Sequence, residues 1–574
     1  MKHLIPYLKK YKKESILAPL FKMLEACFDL LVPLLVARIV NEGIPGGETG
    51  PIFRDVGLMF LMAVLGLLCS FTAQYFAAKA AAGTGTGLRH QLMEHIGSLS
   101  LTELDGIGNA TLITRMTSDI NLVQNGYNMF LRLFLRSPFI VFGSLILAFV
   151  IDSHLALIFV IVIAVLFAIV FGIMALTRPL YKKQQNLLDG VTEATRENLT
   201  GVRVIRAFGA EQAEIENFDR SNDKLLSMQK FVGKLSALMN PLTYVVINGG
   251  IIAILWFGSK AVDGGILLSG DILALINYIT QILVELVKLA NLIVLLSKAA
   301  AGLGRVSQLL DTETSMEFEG SVKEAAGREA VRFDHVSLQY ASAASDSLTD
   351  ISFTAERGQT IGVIGGTGSG KSSLVRLISR LYDASEGTVF LLGSPVKEWE
   401  SGALREKAAI VQQNPVLFSG TVRSNLLWGN PNASDEELWQ ALETAQAKEF
   451  IQKKPGGLDA VVEQGGRNFS GGQRQRLAIA RALVGRAEVL ILDDSASALD
   501  YATEAALEKA LKSLPRQVTL FLVSQRTSSI SHADRILVLD DGRLAGQGTH
   551  KSLLQSCPVY REIWESQHRK EAEV

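Results

Sequence analysis

Three stretches without a charged side chain, Val56–Ala78, Ser153–Thr177 and Leu235–Ser259, constrain this chain more than any other feature. Each reaches the ~20 apolar residues that carry a helix across the hydrocarbon core of a bilayer. Backbone groups in lipid must pair internally, so each run is expected to be a helix. A soluble core could bury one such helix; three in one chain point to lipid. Three further spans carry charge. Ser15–Val40 holds Lys22, Glu25, Asp29 and Arg38, and Asn128–Ile151 opens with Arg132 and Arg136 but is uncharged from Ser137. Ile272–Lys298 is interrupted by Glu285 and Lys288. The expectation is six spans, near 15–40, 56–78, 128–151, 155–177, 238–259 and 272–298.

Charge in the connections sets the orientation. The N-terminal MKHLIPYLKKYKK and the segments 79–127 and 178–237 are rich in Lys and Arg, whereas 41–55, 152–154 and 260–271 are short and hold few. Basic residues stay in the cytoplasm, so both termini and the two long loops are expected there, in a multi-pass protein of the cell membrane. Loops of that length would continue the helices well into the cytosol. No short apolar stretch with a small-residue cleavage site follows the basic N-terminus, as a signal peptide would require.

Composition narrows the rest. The chain has 574 residues, enough for three or four domains at ~150 residues each, and 48% of them are apolar. That apolar content and a net charge of −1 exclude a disordered chain and give no case for a nucleic-acid partner. Cys27, Cys69 and Cys557 lie too far apart to form a metal pattern or a disulfide framework. The mean hydropathy of +0.26 averages two unlike halves. Residues 1–305 read as the membrane domain, 306–330 as a polar linker, and 331–574 as a domain of short β-branched runs between helical stretches, the pattern of α/β layers. The fold class expected is therefore a multidomain membrane protein, an all-α six-helix transmembrane domain followed by an α/β domain, which the glycine-rich motif Gly365–Ser372 marks as a P-loop nucleotide-binding domain.

The second half carries its chemistry in motifs. Gly365-Gly366-Thr367-Gly368-Ser369-Gly370-Lys371-Ser372 fits G-x-x-x-x-G-K-[ST], follows the apolar run Thr360–Ile364 and, with Ser373, opens a helical pattern. Glycines there let backbone N–H groups wrap phosphates, and the helix N-terminus favours an anion. Lys371 would reach the β- and γ-phosphates of ATP, and Ser372 would bind Mg²⁺. Glu488–Leu492 reads as a buried strand ending in Asp493, placed to hold the Mg²⁺ shell. Asn468–Arg476, NFSGGQRQR, sets Ser470, Gly471 and Gly472 at a helix start, a second anion site.

The order GGTGSGKS, FSGGQ, LILDD, SALD resembles the ATP-binding cassette family, and six spans followed by one cassette resemble a half-transporter of the ABC exporter type. The resemblance covers nearly the whole chain. It implies that Tyr340 stacks on adenine and that Gln413 is the Q-loop residue that senses Mg²⁺. It also implies that Phe469–Gln473 is the signature, with Phe where Leu is usual and Ser470, Gly471, Gly472 and Gln473 facing nucleotide. Ser497–Asp500 would be the D-loop, with Asp500 at the nucleotide. Thr111–Asp119 and Leu199–Phe208 resemble the two loops whose short helices press on the cassettes.

Two departures bear on mechanism. Where the family has a glutamate that positions the attacking water, this chain has Asp494, one methylene shorter. Where the switch loop has a histidine, FLVSQRTSS places Gln525. Glutamine can hydrogen-bond a phosphate but cannot carry a proton or a charge. A third departure, Glu463–Arg467 (EQGGR), replaces a GERG-like string. Cassettes of this family dimerise head to tail, each ATP lying between one Walker A loop and the other chain's signature. The expectation is a degenerate, slow site on this chain and a heterodimer with a second, non-identical half-transporter that keeps the catalytic Glu and His. Tolerated drift in a working homodimer is the alternative. The expected substrate is an amphipathic small molecule, and the surrounding membrane lipids are expected partners; a lipid or peptide exporter and a non-pumping ATP-gated regulator are the rivals. The absence of an N-terminal peptidase domain before the first span argues against leader-peptide processing.

Glu25, Asp29 and Glu285 fall within spans, where ionisable groups face a cavity or a partner. They read either as a polar cavity that attracts cations or as structural ion pairs, for example Glu285 with Lys288. Pro138 and Pro241 are candidate bends, and Gly249–Gly250 a site of close helix packing.

Overall fold

The computed structural model describes residues 2–46, 49–318, 320–323, 328–341, 343–495, 499–513 and 518–572. The chain divides into two units: Met1–His95 with Ala110–Thr312, and Ile96–Asn109 with Glu313–Val574.

The first unit is helical. Among the described residues five runs are long and apolar enough to cross a membrane: Thr49–Ser98, Asn109–Ile151, Ser153–Thr200, Glu211–Asp263 and Ser269–Leu310. Lys12–Arg38 supplies the remaining expected span, its apolar character diluted by Lys22, Glu25 and Asp29. Ser153–Thr200 has 48 residues, ~72 Å at 1.5 Å per residue. That is over twice the ~30 Å hydrocarbon core, so the helices run far beyond the bilayer. Pro138 and Pro241 each sit in the first turn of a helix, Arg136–Ile151 and Met239–Asp263. The missing N–H costs nothing there, and each proline marks where one helix gives way to the next.

Large apolar side chains point outward, among them Phe60, Phe142, Val150 and Trp256, while Ala73, Ala77, Ala80 and Ala81 are buried between helices. Lipid offers no hydrophobic drive for helix association, so small residues that allow close approach carry the packing. A Cβ at Gly250 would meet Ile279 Cδ1 at 2.8 Å and Val162 Cγ2 at 2.9 Å, whereas nothing lies within 4 Å of one at Gly249. The pair therefore packs through Gly250. A closer approach, against backbone, joins the end of the first span to the start of the sixth. A Cβ at Gly270 would lie 2.3 Å from the Ala37 carbonyl oxygen, and the Gly270 N–H donates to Asn41 Oδ1 at 2.6 Å.

The second unit has the expected α/β layers. Its main sheet orders the strands Arg543–Gly548, Arg535–Asp540, Thr360–Gly365, Thr519–Val523, Val489–Asp493 and Ala408–Val411. All but the first are parallel to their neighbours. A second, antiparallel sheet orders Leu348–Glu356, Glu329–Leu338, Glu386–Leu391 and Ser394–Pro395. Phe333, Phe353, Val363, Ile491, Phe521 and Leu537 belong to one core that joins the two. A separate core forms around the helix Gly471–Val484.

The short helix Leu101–Ile107 belongs to this second unit. Ser100 caps it in a box with Glu103, Leu101 packs against the cassette core, and Tyr382 donates its hydroxyl to Asp105 at 2.5 Å. The first loop thus meets the cassette through 101–107. Thr111–Asp119, the stretch singled out by resemblance, lies in the helical unit, where Arg115 and Arg305 hold the buried Asp119. Only burial distinguishes the two segments, and sequence order does not show it.

Gly270→Ala is expected to lower the thermal unfolding midpoint of the detergent-solubilised protein, because backbone blocks the new methyl. Gly249→Ala should leave the midpoint in place. Circular dichroism melts of the two variants check this.

Candidate nucleotide-binding site

Three neighbouring parallel strands end at one edge. Val523 pairs with both Val363 and Asp493, so the loops after Gly365, Asp493 and Val523 leave the sheet side by side. Ligands of open α/β sheets bind at such carboxyl edges.

The first loop is the glycine motif. Gly368 and Gly370 have φ of 84° and 93°, a region that side chains rarely enter. A Cβ at Gly365 would lie 2.2 Å from the Leu539 carbonyl oxygen. Lys371 and Ser372 begin the helix Lys371–Ile378. The Lys371 ammonium donates to the carbonyls of Gly365 at 3.0 Å and Gly366 at 2.6 Å, and burial pulls its pKa down. Ser372 Oγ donates to Asp493 Oδ1 at 2.9 Å, which joins two residues far apart in sequence. Tyr340 donates to Ser373 Oγ at 3.1 Å and packs edge-on against Tyr382.

Asp493 ends a strand that is buried throughout. Asp494 follows with a φ of 46°, a strained conformation for a non-glycine residue and one concentrated at functional sites. Its N–H donates to the Val523 carbonyl at 3.0 Å, and its Oδ2 accepts from Gln413 Nε2 at 3.0 Å. Burial pushes both aspartates above the usual carboxylate range. One edge therefore holds a desolvated cation and two desolvated carboxylates. A magnesium–nucleotide supplies both signs.

The donors fit that metal. Mg²⁺ takes hard oxygen ligands and keeps several waters. The Ser372 hydroxyl and Asp493 carboxylate would hold it, with Gln413 nearby. When bound it neutralises charge on the β- and γ-phosphate oxygens. The protein's own task is positioning. Backbone N–H groups after Gly366 and the helix start would receive the phosphates, and the Asp494 carboxylate, held by Gln413, would be the group that orients water. Gln525 is exposed on the loop beyond Val523.

The signature stands apart in its bonding. Ser470 caps Gly471–Val484 by accepting from the Gln473 N–H at 3.3 Å, and Gln473 accepts from the Ser470 N–H at 3.0 Å. Phe469, in place of the usual Leu, is buried in the second core, with the Lys454 ammonium over its ring. Of the Ser497–Asp500 segment, Ser497 and Ala498 lie outside the described residues. Asp500 caps the helix Tyr501–Lys512 through Thr503.

The carboxylates in the spans find partners. Arg136 donates to Asp29 at 2.9 Å and Glu285 at 2.6 Å. Glu285 also accepts from Ser137 at 2.7 Å and Lys288 at 2.8 Å, and Lys22 bonds Glu25 at 2.5 Å. Glu285 pairs with Lys288 within a larger network. Sequence reasoning missed Arg136 as its centre. The available signal was a cation at the start of an apolar span with two unmatched carboxylates in other spans.

The comparisons agree with this geometry. The family of ABC transporter transmembrane regions matches residues 15–286, and the ABC transporter family matches 348–497. An uncharacterised ABC transporter ATP-binding protein of Mycobacterium tuberculosis is 34% identical over 566 residues, 98% of this chain and 97% of that protein. Another from Bacillus subtilis is 33% identical over 572 residues, 100% and 99% of the two chains. The ATP-dependent lipid A-core flippase of Yersinia pestis is 29% identical over 568 residues, 98% and 97%. A bacterial Atm1-family ABC exporter with ATP bound shares the fold, with a TM-score of 0.79 at 23% identity and 98% coverage of both chains. This chain belongs to the ABC transporter family. It is a half-transporter, a transmembrane region fused to one ATP-binding cassette in the exporter fold.

Lys371→Ala is expected to weaken ATP binding at least tenfold, read by displacement of a fluorescent nucleotide. Asp493→Asn should retain nucleotide binding in EDTA but lose its enhancement by Mg²⁺.

Proposed function

We propose that this chain is the degenerate half of a heterodimeric exporter. It binds Mg²⁺-ATP at its own Walker side, hydrolyses it slowly, and lends its signature to a competent site on a second, non-identical chain. The pair exports amphipathic small molecules, with the cassettes and termini in the cytoplasm, where the basic segments belong.

The observation that carries this reading is the pairing of Asp494 with Gln525 at one edge of the sheet. Both depart from the family at the hydrolytic step, while the residues for binding nucleotide are intact. A catalytic group displaced by ~1 Å costs ~100-fold in rate, and the shorter aspartate stem withdraws its carboxylate by more than that. Gln525 supplies a hydrogen bond without a proton. On the signature side nothing is lost: Ser470 and Gly471 are exposed at a helix start, open to an anion held by another chain. Beyond the spans, Leu199 and Phe208 are 73% and 82% exposed, an apolar surface suited to a partner.

A second reading, a homodimeric lipid exporter, is favoured by the likeness to the lipid A-core flippase. Measured turnover separates the two. Purified alone, this chain should bind ATP but hydrolyse it far more slowly than the assembled pair; vigorous turnover alone would establish the homodimer. In the pair, Asp494→Asn should cost severalfold at most, because little of the ~10²–10⁴-fold contribution of a well-placed general base remains to be lost. The neutral change of the partner's glutamate should nearly abolish ATPase and transport. Equal losses would mean that both sites hydrolyse.

Replacing Gly472 with a bulky residue should remove most ATPase activity of the pair, although the hydrolysing carboxylate lies on the other chain. Retained activity would rule out the trans arrangement.

A further inference from the structure

The loop Ser524–Gln525–Arg526–Thr527 leaves the strand Thr519–Val523 and enters the four-residue helix Thr527–Ile530. Its N-cap residue, Arg526, makes no side-chain cap bond. Thr527 is buried, so its N–H and hydroxyl need acceptors within the fold. One side chain from the distant C-terminal helix Pro558–Ala572 supplies them. Gln567 Oε1 accepts from Thr527 N and from Thr527 Oγ1, each at 2.8 Å. The Nε2 of the same amide donates to the Gln525 carbonyl oxygen at 2.7 Å. A single amide thus grips the loop on both sides of Arg526.

The helix that carries this amide is firmly placed. Tyr560 is fully buried in a cluster with Ile364, Ile530 and Val538, and Ile563 packs against that cluster. The Tyr560 hydroxyl lies 2.7 Å from His550 Nδ1, and burial pushes its pKa up to about 12. Gln567 stands two turns beyond Tyr560 on the same face. The cluster also contains Ile364, on the strand that leads into the phosphate loop. The same core therefore fixes the phosphate loop and the clamp on Gln525.

We propose that Gln567 is a positioning residue for ATP hydrolysis: it holds the Gln525 backbone so that the Gln525 side chain meets the γ-phosphate. This rests on the reading of Gln525 as the switch residue. An amide is the group required, because it must accept from Thr527 and donate to Gln525 at once. A carboxylate could still accept from Thr527 but would turn lone pairs toward the Gln525 carbonyl. With the clamp removed, the buried Thr527 donors lose their acceptor and the loop shifts to satisfy them. A shift of ~1 Å at a catalytic group costs ~100-fold.

The test uses the assembled pair in lipid nanodiscs with the partner's catalytic glutamate neutralised, and radiolabelled Mg²⁺-ATP in single turnover with protein in excess, so that this chain's slow site is readable. Lys371→Ala sets the background. Gln567→Ala is expected to lower the hydrolysis rate about tenfold or more, with ATP affinity within about twofold of wild type. Gln567→Glu should also slow hydrolysis while hydrogen exchange at the Thr527 amide stays protected, which separates positioning of Gln525 from support of the fold. In a Gln525→Ala background, Gln567→Ala should cost less than about twofold more, because residues that act through one another are not additive. Wild-type hydrolysis by Gln567→Ala, loss of ATP binding in that variant, or independent losses that multiply in the double variant would each overturn the proposal. Wild-type turnover no greater than that of Lys371→Ala would overturn the ATPase reading of this site and the proposal with it.

Discussion

The cassette depends on the register of three parallel strands. Val523 lies opposite Val363 on one side and Asp493 on the other. That single row brings the phosphate loop, the two aspartates and Gln525 to one edge. Side chains alternate faces along a strand, so a slip of one residue would turn Asp493 away from Ser372. The strands resist such a slip because Val489–Asp493 is buried throughout and its neighbours nearly so. Hydrophobic burial thus fixes the polar geometry: the Ser372–Asp493 bond follows from the ladder.

Both units bury charge, in opposite ways. In the membrane unit the network is closed. Lys22, Arg136 and Lys288 face Glu25, Asp29 and Glu285 in direct ion pairs. Removing one member of a buried pair leaves the other uncompensated, which is far more costly than the pair itself is favourable. Such a network ties the first, third and sixth spans into one body. In the cassette the direct contacts of the charges are of another kind. Lys371 leans on backbone carbonyls, and Asp493 has one hydroxyl. Opposite pKa displacements with a common cause, burial, mark a site designed to be completed by a ligand that carries both signs.

The link between loop and cassette is equally specific. Leu101–Ile107 joins the cassette unit by an apolar contact at Leu101, a hydrogen bond from Tyr382 to Asp105 and another from the Ser315 N–H to Glu103. Burial and the Asp105 carboxylate both push the Tyr382 hydroxyl upward in pKa, so it remains a donor. The helix of the first loop is therefore a capped helix seated beside the tyrosine that packs edge-on against Tyr340.

The sequence by itself determined the broad architecture and the nucleotide chemistry. Three uncharged runs, each long enough to cross the hydrocarbon core, point to spanning helices. Gly365–Ser372 and the run ending in Asp493 are local patterns whose backbone conformation and burial follow from neighbours a few residues away. Tertiary structure decided whatever required distant segments to meet. The Arg136 network joins residues 29, 136 and 285, the clamp on Gln525 comes from residue 567, and the helix 101–107 packs with the cassette through Tyr382. None of these has a motif, because a hydrogen bond between residues far apart leaves no spacing to read. It exists only once burial of apolar surface has placed both ends and removed the water that would otherwise have satisfied them.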